Sequence, residues 1–157
     1  MAANGELDLS HHLPATAKRD AGDIARGVSR ALGELGYGTL TEMRLGSGRR
    51  VDVIGLDRHG GFAIVEVKSS TADFHADRKW PEYLRFCDRF YFAVAADFPL
   101  DRLPGNAGII VADRFGGTVV RPAPAMKMNA TTRCAQTTRF ARHAAARLRR
   151  AEDPELT

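Results

Sequence analysis

Apolar residues recur at helical spacing near the start of the chain and form short, nearly continuous runs in its middle. Five of them share one helical face and predict a helix that Gly36 ends: Ile24, Val28, Ala31, Leu32 and Leu35. Gly22 and Gly27 weaken the first turns of this helix. Three strand-like runs, separated by glycine-containing turns, follow at 39–45, 50–56 and 62–68. The second and third runs are apolar at nearly every position, so both faces of the hairpin that they form are expected to be covered by protein.

The second half of the chain alternates between helix-like and strand-like segments. A polar loop leads to a helix from about Trp80 to Asp88, and Pro81 suits its first turn, where no backbone donor is needed. Three short apolar strands are predicted at 90–95, 107–113 and 118–121. The last helix, at 131–150, has a predicted apolar stripe of Cys134, Thr138, Ala141, Ala145 and Leu148. This order predicts an α/β fold in which helices flank a mixed β-sheet.

A chain of 157 residues is long enough for one domain with a single core. The domain is expected at 16–151, between a disordered polar tail at 1–15 and a frayed end at 152–157. No run approaches the roughly 18 apolar residues of a membrane span, and the first twenty residues lack the apolar segment of a secretory signal. The expected location is therefore the cytosol, with no membrane partner.

Positive charge is concentrated near the end of the chain. The net charge is +4, and between 131 and 150 there are six arginines and no acid: Arg133, Arg139, Arg142, Arg147, Arg149 and Arg150. A local excess of this kind favours a polyanionic partner. Charge alone does not separate DNA from RNA, or either of them from a solvated helix face.

Three charged residues interrupt the apolar hairpin: Asp52 in its first strand, and Glu66 and Lys68 in its second. Carboxylates in a covered strand are costly unless they are paired or bind a cation. Glu66 and Lys68 are two positions apart and share a face of their strand. A hard divalent cation on the two carboxylates, beside an ammonium that orients water, would account for all three charges.

This interpretation requires a particular register of the hairpin. Side chains alternate between the faces of a strand, so Asp52 and Glu66 share a face only if the numbers of paired residues sum to an even value. The turn is therefore expected to have an odd number of residues, such as three around His59 and Gly60, or the ladder to contain a bulge.

The Asp52 and Glu66-Val67-Lys68 pattern resembles that of the PD-(D/E)XK nuclease superfamily, although Val51 stands where the superfamily's name has Pro. A longer likeness follows in 72–83, around Lys79-Trp80-Pro81-Glu82-Tyr83, and in 86–94. These segments resemble the bacterial MmcB-type DNA repair nucleases, and the likeness extends from about Ile24 to the last arginine-rich helix.

The resemblance implies an αβββαβ restriction-endonuclease-like core and a Mg²⁺-dependent endonuclease that hydrolyses DNA phosphodiester bonds in repair. The implied metal ligands are Asp52, Glu66 and the backbone carbonyl of Val67, with Mn²⁺ as a substitute metal. Lys68 is implied to position the attacking water. Such a protein would act in the bacterial cytosol, associated with the nucleoid.

Other residues near the motif are weaker candidates. Glu42 is either a second metal-linked acid or an exposed edge-strand carboxylate. Lys79 is either a phosphate- or water-orienting residue or a surface lysine. Trp80 is expected in the core or as a platform under the loop rather than in base stacking, while Asp77 and Tyr83 are weaker site candidates. The predicted phosphate contacts, which give affinity without sequence choice, are Arg44, Arg49, Arg50, Arg142, Arg147 and Arg149.

Two alternatives to a DNA nuclease stay open from the sequence. One is a non-catalytic module that holds DNA or a repair partner on a nuclease-like fold. The charged trio argues against it, because a retired active site has no physical need for buried charges. The other is an RNA-processing nuclease. The sequence also leaves open a homodimer and the binding of other repair proteins.

Overall fold

The strand-like runs of the first half form an antiparallel meander at one edge of a six-stranded mixed sheet. The computed structural model describes residues 20–155, and its strands lie in the sheet in chain order. The strands are β1 (Gly38–Arg44), β2 (Arg50–Leu56), β3 (Phe62–Val67), β4 (Arg89–Val94), β5 (Gly108–Ala112) and β6 (Gly117–Arg121). The β3–β4 and β4–β5 pairs are parallel, and the other three pairs are antiparallel. The predicted α/β class with a mixed sheet is confirmed, and the predicted disordered tail at 1–15 lies outside the described residues.

Helices cover both faces of this sheet. They are α1 (Ala21–Glu34), α2 (Thr71–Ala76) and α3 (Ala130–Glu152), with short 3₁₀ segments at Trp80–Phe86 and Leu100–Arg102. One core cluster lies between α1 and the sheet, and the other lies between the sheet and the layer that contains α3 and the first 3₁₀ segment. The buried residues of β3 belong to both clusters, since every one of its positions is buried. This explains why its sequence is apolar without alternation.

Helix α1 packs against the sheet through most of the predicted stripe. Ile24, Val28 and Leu32 are buried against residues that include Val53 and Val65. Leu35, the C-cap residue, is exposed and does not join this buried face. Asp20 is the N-cap of this helix, and its side chain accepts a hydrogen bond from the Gly22 backbone N–H, which satisfies one free donor of the first turn.

Gly27 allows a close approach between α1 and the β5–β6 turn. A Cβ atom at this position would lie 1.8 Å from the carbonyl oxygen of Asp113 and 2.5 Å from that of Gly116. The sequence indicated only a helix weakened by glycine, whereas the structure uses the missing side chain to bring the helix onto the turn.

We expect Gly27→Ala to lower the free energy of unfolding by about 1–3 kcal/mol, because the added methyl group forces the backbones apart. Gly33→Ala is the matched control, since a Cβ at position 33 has no neighbour within 4 Å. That change should stabilise the helix by up to about 1 kcal/mol. Urea denaturation measures both effects. Equal stabilities for the two variants would contradict the proposed close packing.

The connection between β3 and β4 differs from the prediction. The segment expected as a polar loop contains α2, which buries none of its residues and therefore has no apolar periodicity in the sequence. The Ser70 side chain accepts a hydrogen bond from Asp73 N and caps this short helix. The helix expected at 80–88 is instead a 3₁₀ segment that ends at Phe86. As predicted, Trp80 packs in the core, stacked on Phe90 with ring centroids 5.5 Å apart.

The predicted inward face of α3 is wrong. The described side of the helix that meets the protein carries Arg133, Gln136, Phe140 and Arg147, spaced by three, four and seven positions. All five residues of the predicted stripe are exposed, and Leu148 is 60% exposed: Cys134, Thr138, Ala141, Ala145 and Leu148.

Hydrogen bonds explain this orientation of α3. Arg133 forms an ion pair with Asp88 at 2.6 Å and also donates to the carbonyl of Gly60. Gln136 donates to the carbonyl of Phe86, and the Arg147 guanidinium donates to the carbonyl of Thr41. Four contacts to distant parts of the chain outweigh the burial of small apolar side chains, each of which offers little area.

Candidate active site

The β2–β3 hairpin has the register that the site requires. The paired residues run from Val53 and Val65 to Leu56 and Phe62, and every pair sums to 118. The Asp57 N–H donates to Gly61 O at 2.9 Å, which leaves a three-residue loop centred on His59. Gly60 has a φ of +82°, the left-handed conformation that such loops need at their last position. The predicted even sum and odd loop are confirmed.

Beyond Val53 and Val65, the carboxylates of Asp52 and Glu66 link the two strands. The Val67 backbone N–H donates to Asp52 Oδ2 at 2.8 Å. In the other direction, the Asp52 backbone N–H donates to Glu66 Oε1 at 3.4 Å. Each side chain is thus fixed against the backbone of the neighbouring strand. The hairpin brings Asp52 and Glu66 into one site although 13 residues separate them.

Both carboxylates lie in a medium that disfavours their charge. Glu66 is only 6% exposed, and burial, together with the nearby Asp52 carboxylate, raises the pKa of Glu66 to about 8. Burial also raises the pKa of Asp52, against the Val67 N–H and the Lys68 ammonium, which favour its charged form. A buried and a half-buried acid side by side, one of them protonated near neutral pH without a cation, are typical of a functional site rather than of a solvated strand end.

Lys68 completes this group from the end of β3. It is 5% exposed, and its ammonium lies 2.7 Å from Asp77 Oδ2. The other oxygen of Asp77 accepts a hydrogen bond from the backbone N–H of Lys79 at 2.8 Å. Burial alone would raise the pKa of Asp77, but the hydrogen bonds from Lys68 and Lys79 outweigh it and hold that pKa below its usual range.

The remaining candidates of this group lie around the trio. The backbone of Lys79 contacts Asp77, but its side chain is exposed. Tyr83 is buried, and burial followed by the charge of Glu66 raises its pKa to about 12.

Glu42 lies on β1 beside Asp52. The residue numbers of each β1–β2 pair sum to 94, so a regular ladder would place Glu42 opposite Asp52. These two residues are not among the paired positions. Its φ of +51° is rare for a residue with a side chain and marks a local irregularity of the strand. The side chain is exposed, with an oxygen 3.7 Å from Arg50. Glu42 therefore lies near Asp52 as an exposed carboxylate, while a role in metal binding stays a prediction.

A groove of about 520 Å³ opens beside Asp52. One wall is the strand end that includes Thr41, Glu42, Asp52 and Val67. The other wall is one face of α1: Ala21, Gly22, Ala25, Arg26 and Ser29. Sequence reasoning did not single out Arg26 or Ser29, although a stripe of small and polar residues at helical spacing beside the apolar stripe was visible. A larger groove of about 760 Å³ lies on the other side of α1 and contains none of the predicted site residues. The smaller groove is lined by Glu42, Asp52 and Val67 but by neither Glu66 nor Lys68.

The protein groups at this site could hold a hard cation only if water molecules supplied its remaining ligands. Among residues 20–155, no three His, Cys, Asp or Glu side chains form a metal-binding cluster. Asp52 and Glu66 each use one oxygen for a backbone N–H, and their second oxygens accept no hydrogen bond from the described residues. Mg²⁺ is commonly held by one or two carboxylates and keeps several waters. Two free carboxylate oxygens and the adjacent Val67 backbone therefore fit Mg²⁺ better than a cation that needs a complete protein cage.

The predicted phosphate contacts differ in their surroundings. Arg44 and Arg50 are exposed, and Arg50 lies near Glu42. Arg49 forms a two-point ion pair with Glu82, with the shorter distance 2.6 Å. On α3, Arg142 and Arg149 are exposed.

Arg147 was predicted to contact phosphate, but it does not face outward as such a contact would require. Its side chain turns inward onto Thr41, the residue beside Glu42. This contact shows that the C-terminal half of α3 lies at the Asp52 end of the sheet, whereas Arg133 holds the N-terminal half at the β2–β3 turn.

Comparison with known proteins agrees with the likeness seen in the sequence. The family model described as "DNA repair protein MmcB-like" matches residues 12–155, which is most of the chain. The chain belongs to the MmcB-like family of DNA repair proteins. Among solved structures, this MmcB-like chain is similar to the SPO1766 protein of unknown function from Silicibacter pomeroyi, with 42% identity and a TM-score of 0.82. The match covers 85% of this chain and 92% of that chain.

The MmcB-like family assignment gives a role in DNA repair but no reaction. No protein of curated function matches the chain, and the solved relative has no assigned activity. No helix within residues 20–155 has the length and apolar character needed to cross a membrane.

Proposed function

We propose that this MmcB-like protein is a Mg²⁺-dependent DNA endonuclease that hydrolyses phosphodiester bonds during repair. The observation that carries the proposal is a pair of hydrogen bonds between the two strands, from the Val67 N–H to Asp52 Oδ2 and from the Asp52 N–H to Glu66 Oε1. They fix one half-buried and one buried carboxylate near the Lys68 ammonium. The order α1-β1-β2-β3-α2-β4 supports it, because it agrees with the αβββαβ core that the resemblance to PD-(D/E)XK nucleases implies.

In this proposal Asp52, Glu66 and the Val67 carbonyl hold the cation. Bound Mg²⁺, or Mn²⁺ in its place, supplies Lewis-acid polarisation of the scissile phosphate. The hydrogen bonds to the backbones of Val67 and Asp52 hold both carboxylates in place before substrate arrives, so little reorganisation is needed. The negative charge of the two carboxylates is what the cation compensates.

Lys68 has a separate task in the same site. An ammonium has three N–H donors, and Asp77 accepts one of them. The other two are available to a water molecule and to a phosphate oxygen. Lys68 thereby orients the water for attack and stabilises the negative charge that develops on the phosphate.

The groove beside Asp52 offers a path for the DNA strand. Arg26 and Ser29 on α1 face the wall that contains Asp52 and Val67. A guanidinium and a hydroxyl are suited to phosphate oxygens. On α3, the exposed Arg142 and Arg149 lie on either side in sequence of Arg147, which contacts Thr41 of the groove wall. The groove and α3 would then contact the backbone on both sides of the cleaved bond.

The test is incubation of the purified protein with labelled duplex, flap, branched and single-stranded DNA, and with matched RNA. We expect cleavage of at least one DNA structure with Mg²⁺ or Mn²⁺ and none with EDTA. Binding of DNA without cleavage of any substrate would favour a non-catalytic repair module instead. Cleavage of RNA alone would move the proposal to RNA processing.

We expect the double reversal Arg142→Glu and Arg149→Glu to weaken binding to all DNA sequences alike, because contacts to phosphates carry no sequence information. The slope of log affinity against log salt should become shallower by roughly 0.9 for each duplex phosphate that the variant no longer neutralises. Arg147 is left unchanged, since its replacement would also remove the hydrogen bond to Thr41 and add a stability defect to the binding measurement.

Fluorescence anisotropy at several salt concentrations measures both quantities. Arg58→Glu is the control, because Arg58 is an exposed arginine in the β2–β3 turn, at the opposite end of β2 from Asp52. An unchanged affinity and slope in the double variant would place the DNA path on Arg26, Arg44 and Arg50 rather than on α3.

A further inference from the structure

Asp77 reaches the candidate site from the connection between β3 and β4. It follows α2, where its backbone is extended, and hydrogen bonds engage both oxygens of its carboxylate. One oxygen accepts from Lys68 Nζ at 2.7 Å, and the other accepts from the Lys79 backbone at 2.8 Å. The side chains of Lys68 and Asp77 are 6% and 15% exposed. The carboxylate is therefore anchored to its own segment while it holds the ammonium.

Lys68 needs such an anchor more than most lysines. Its side chain is long and flexible, and a buried ammonium without a partner is costly. The carboxylates of Glu66 and Asp52 both interact electrostatically with it. Without Asp77, these two acids would compete for the ammonium, and an ammonium drawn onto them would leave its place beside the substrate.

We propose that Asp77 is the positioning residue that keeps Lys68 directed at the reacting phosphate and away from the two carboxylates. The proposal rests on the proposed nuclease function and adds to it a residue outside the Asp52, Glu66 and Lys68 motif. Asp77 acts through Lys68 and touches neither substrate nor cation. Its own replacement should therefore affect the rate of cleavage and leave the binding of DNA unchanged.

The experiment measures single-turnover cleavage of the best DNA substrate by full-length protein, with the maximal rate and the half-saturating enzyme concentration determined separately. Asp77→Asn preserves shape and removes the charge. We expect its maximal rate to fall roughly ten- to a hundredfold, the range in which misplacement of a catalytic group acts. The half-saturating concentration should change less than about twofold, because the substitution removes no group that binds DNA.

Asp73→Asn is the matched control on α2. Asp73 accepts hydrogen bonds from the Ser69 backbone and hydroxyl, so its replacement disturbs the same connection without touching Lys68. Its cleavage rate should equal that of the wild type. An equal loss of rate in both variants would show that Asp77 only supports the connection, and would overturn the proposal.

A double variant separates positioning from a general structural role. If Asp77 acts through Lys68, then Asp77→Asn adds no further loss of rate when Lys68 is already alanine. Additive losses would overturn the proposal. If Asp77→Asn unfolds at the assay temperature, Asp77→Glu takes its place, because it preserves the negative charge but moves it. A lowered maximal rate in folded Asp77→Glu supports the positioning role. A wild-type rate in that variant overturns it.

Cleavage by the wild-type protein distinguishes failure of the Asp77 proposal from failure of the nuclease proposal. Cleavage by the wild type together with an unchanged rate in Asp77→Asn overturns the role of Asp77 and leaves the nuclease function standing. Failure of the wild type to cleave any nucleic acid overturns the nuclease function, and the positioning role falls with it.

Discussion

Lys68→Ala is expected to lower the maximal rate of DNA cleavage by roughly 10²–10³-fold, the cost typical of losing a preorganised charge-stabilising donor. The ammonium is the group that orients water in the proposed reaction, and a water molecule that fills the space left by the side chain would not replace its positive charge. Asp52→Asn and Glu66→Gln should lose nearly all cleavage for a different reason, since each removes negative charge that holds the cation. Single-turnover assays of purified variants measure these effects.

Lys127→Ala is the control for this series, because Lys127 is an exposed lysine in the connection between β6 and α3. It should cleave at the wild-type rate. Thermal unfolding of every variant confirms that the fold is kept. Lys68→Ala requires this check most, since it leaves the carboxylate of Asp77 without its ion pair. A folded Lys68→Ala variant that cuts DNA at the normal rate would show that the assigned mechanism is wrong.

The metal-free protein should lose the stability contributed by Glu66 as the pH rises from about 4.5 to about 8. The unfolded chain releases the Glu66 proton near the usual pKa of 4.5, whereas the folded protein retains it up to about pH 8. The folded state binds more protons between these values, so this contribution to the free energy of unfolding decreases across the interval. One pKa unit corresponds to about 1.4 kcal/mol, and the loss therefore amounts to several kcal/mol.

Other buried acids also change the pH dependence, so the Glu66 contribution is taken from the difference between wild type and Glu66→Gln. The variant should match the wild type near pH 4 and exceed it in stability near pH 8. Glu34→Gln, which alters an exposed glutamate at the end of α1, should show no such pH-dependent difference. Urea denaturation at several pH values measures these free energies. A constant difference between wild type and Glu66→Gln at all pH values would contradict the raised pKa of Glu66.

Mg²⁺ provides a second measurement on the same proteins without any assay of cleavage. A ligand that binds only the folded state raises its stability by mass action. Mg²⁺ should therefore raise the melting temperature of the wild type, and more at about pH 8 than at about pH 5, where the protonated Glu66 competes with the cation. Asp52→Asn and Glu66→Gln should respond weakly. An equal response of both variants and the wild type would mean that Mg²⁺ binds elsewhere.

The sequence alone determined those features that depend on residues close together in the chain. The apolar face of α1 and the continuous apolar run of β3 were visible because burial leaves a period in the sequence. The three-residue turn at 58–60 sets the register of the hairpin, and that register is enough to bring Asp52 to Glu66. The central pair of the candidate site was therefore predictable from a turn and two strands.

The tertiary structure decided the features that depend on distant partners. The orientation of α3 follows from the bonds of Arg133 and Arg147 to residues 45 and 106 positions away, and no period within the helix encodes them. The contact of Asp77 with Lys68 required α2, which has no apolar face by which a sequence reveals a helix. In the sequence Gly27 indicates only a weaker helix, whereas in the structure its missing side chain lets the β5–β6 turn lie against α1. Hydrophobic periodicity indicates which residues are buried on folding. The roles of polar side chains and glycines depend instead on which distant backbone atoms lie next to them in the folded protein.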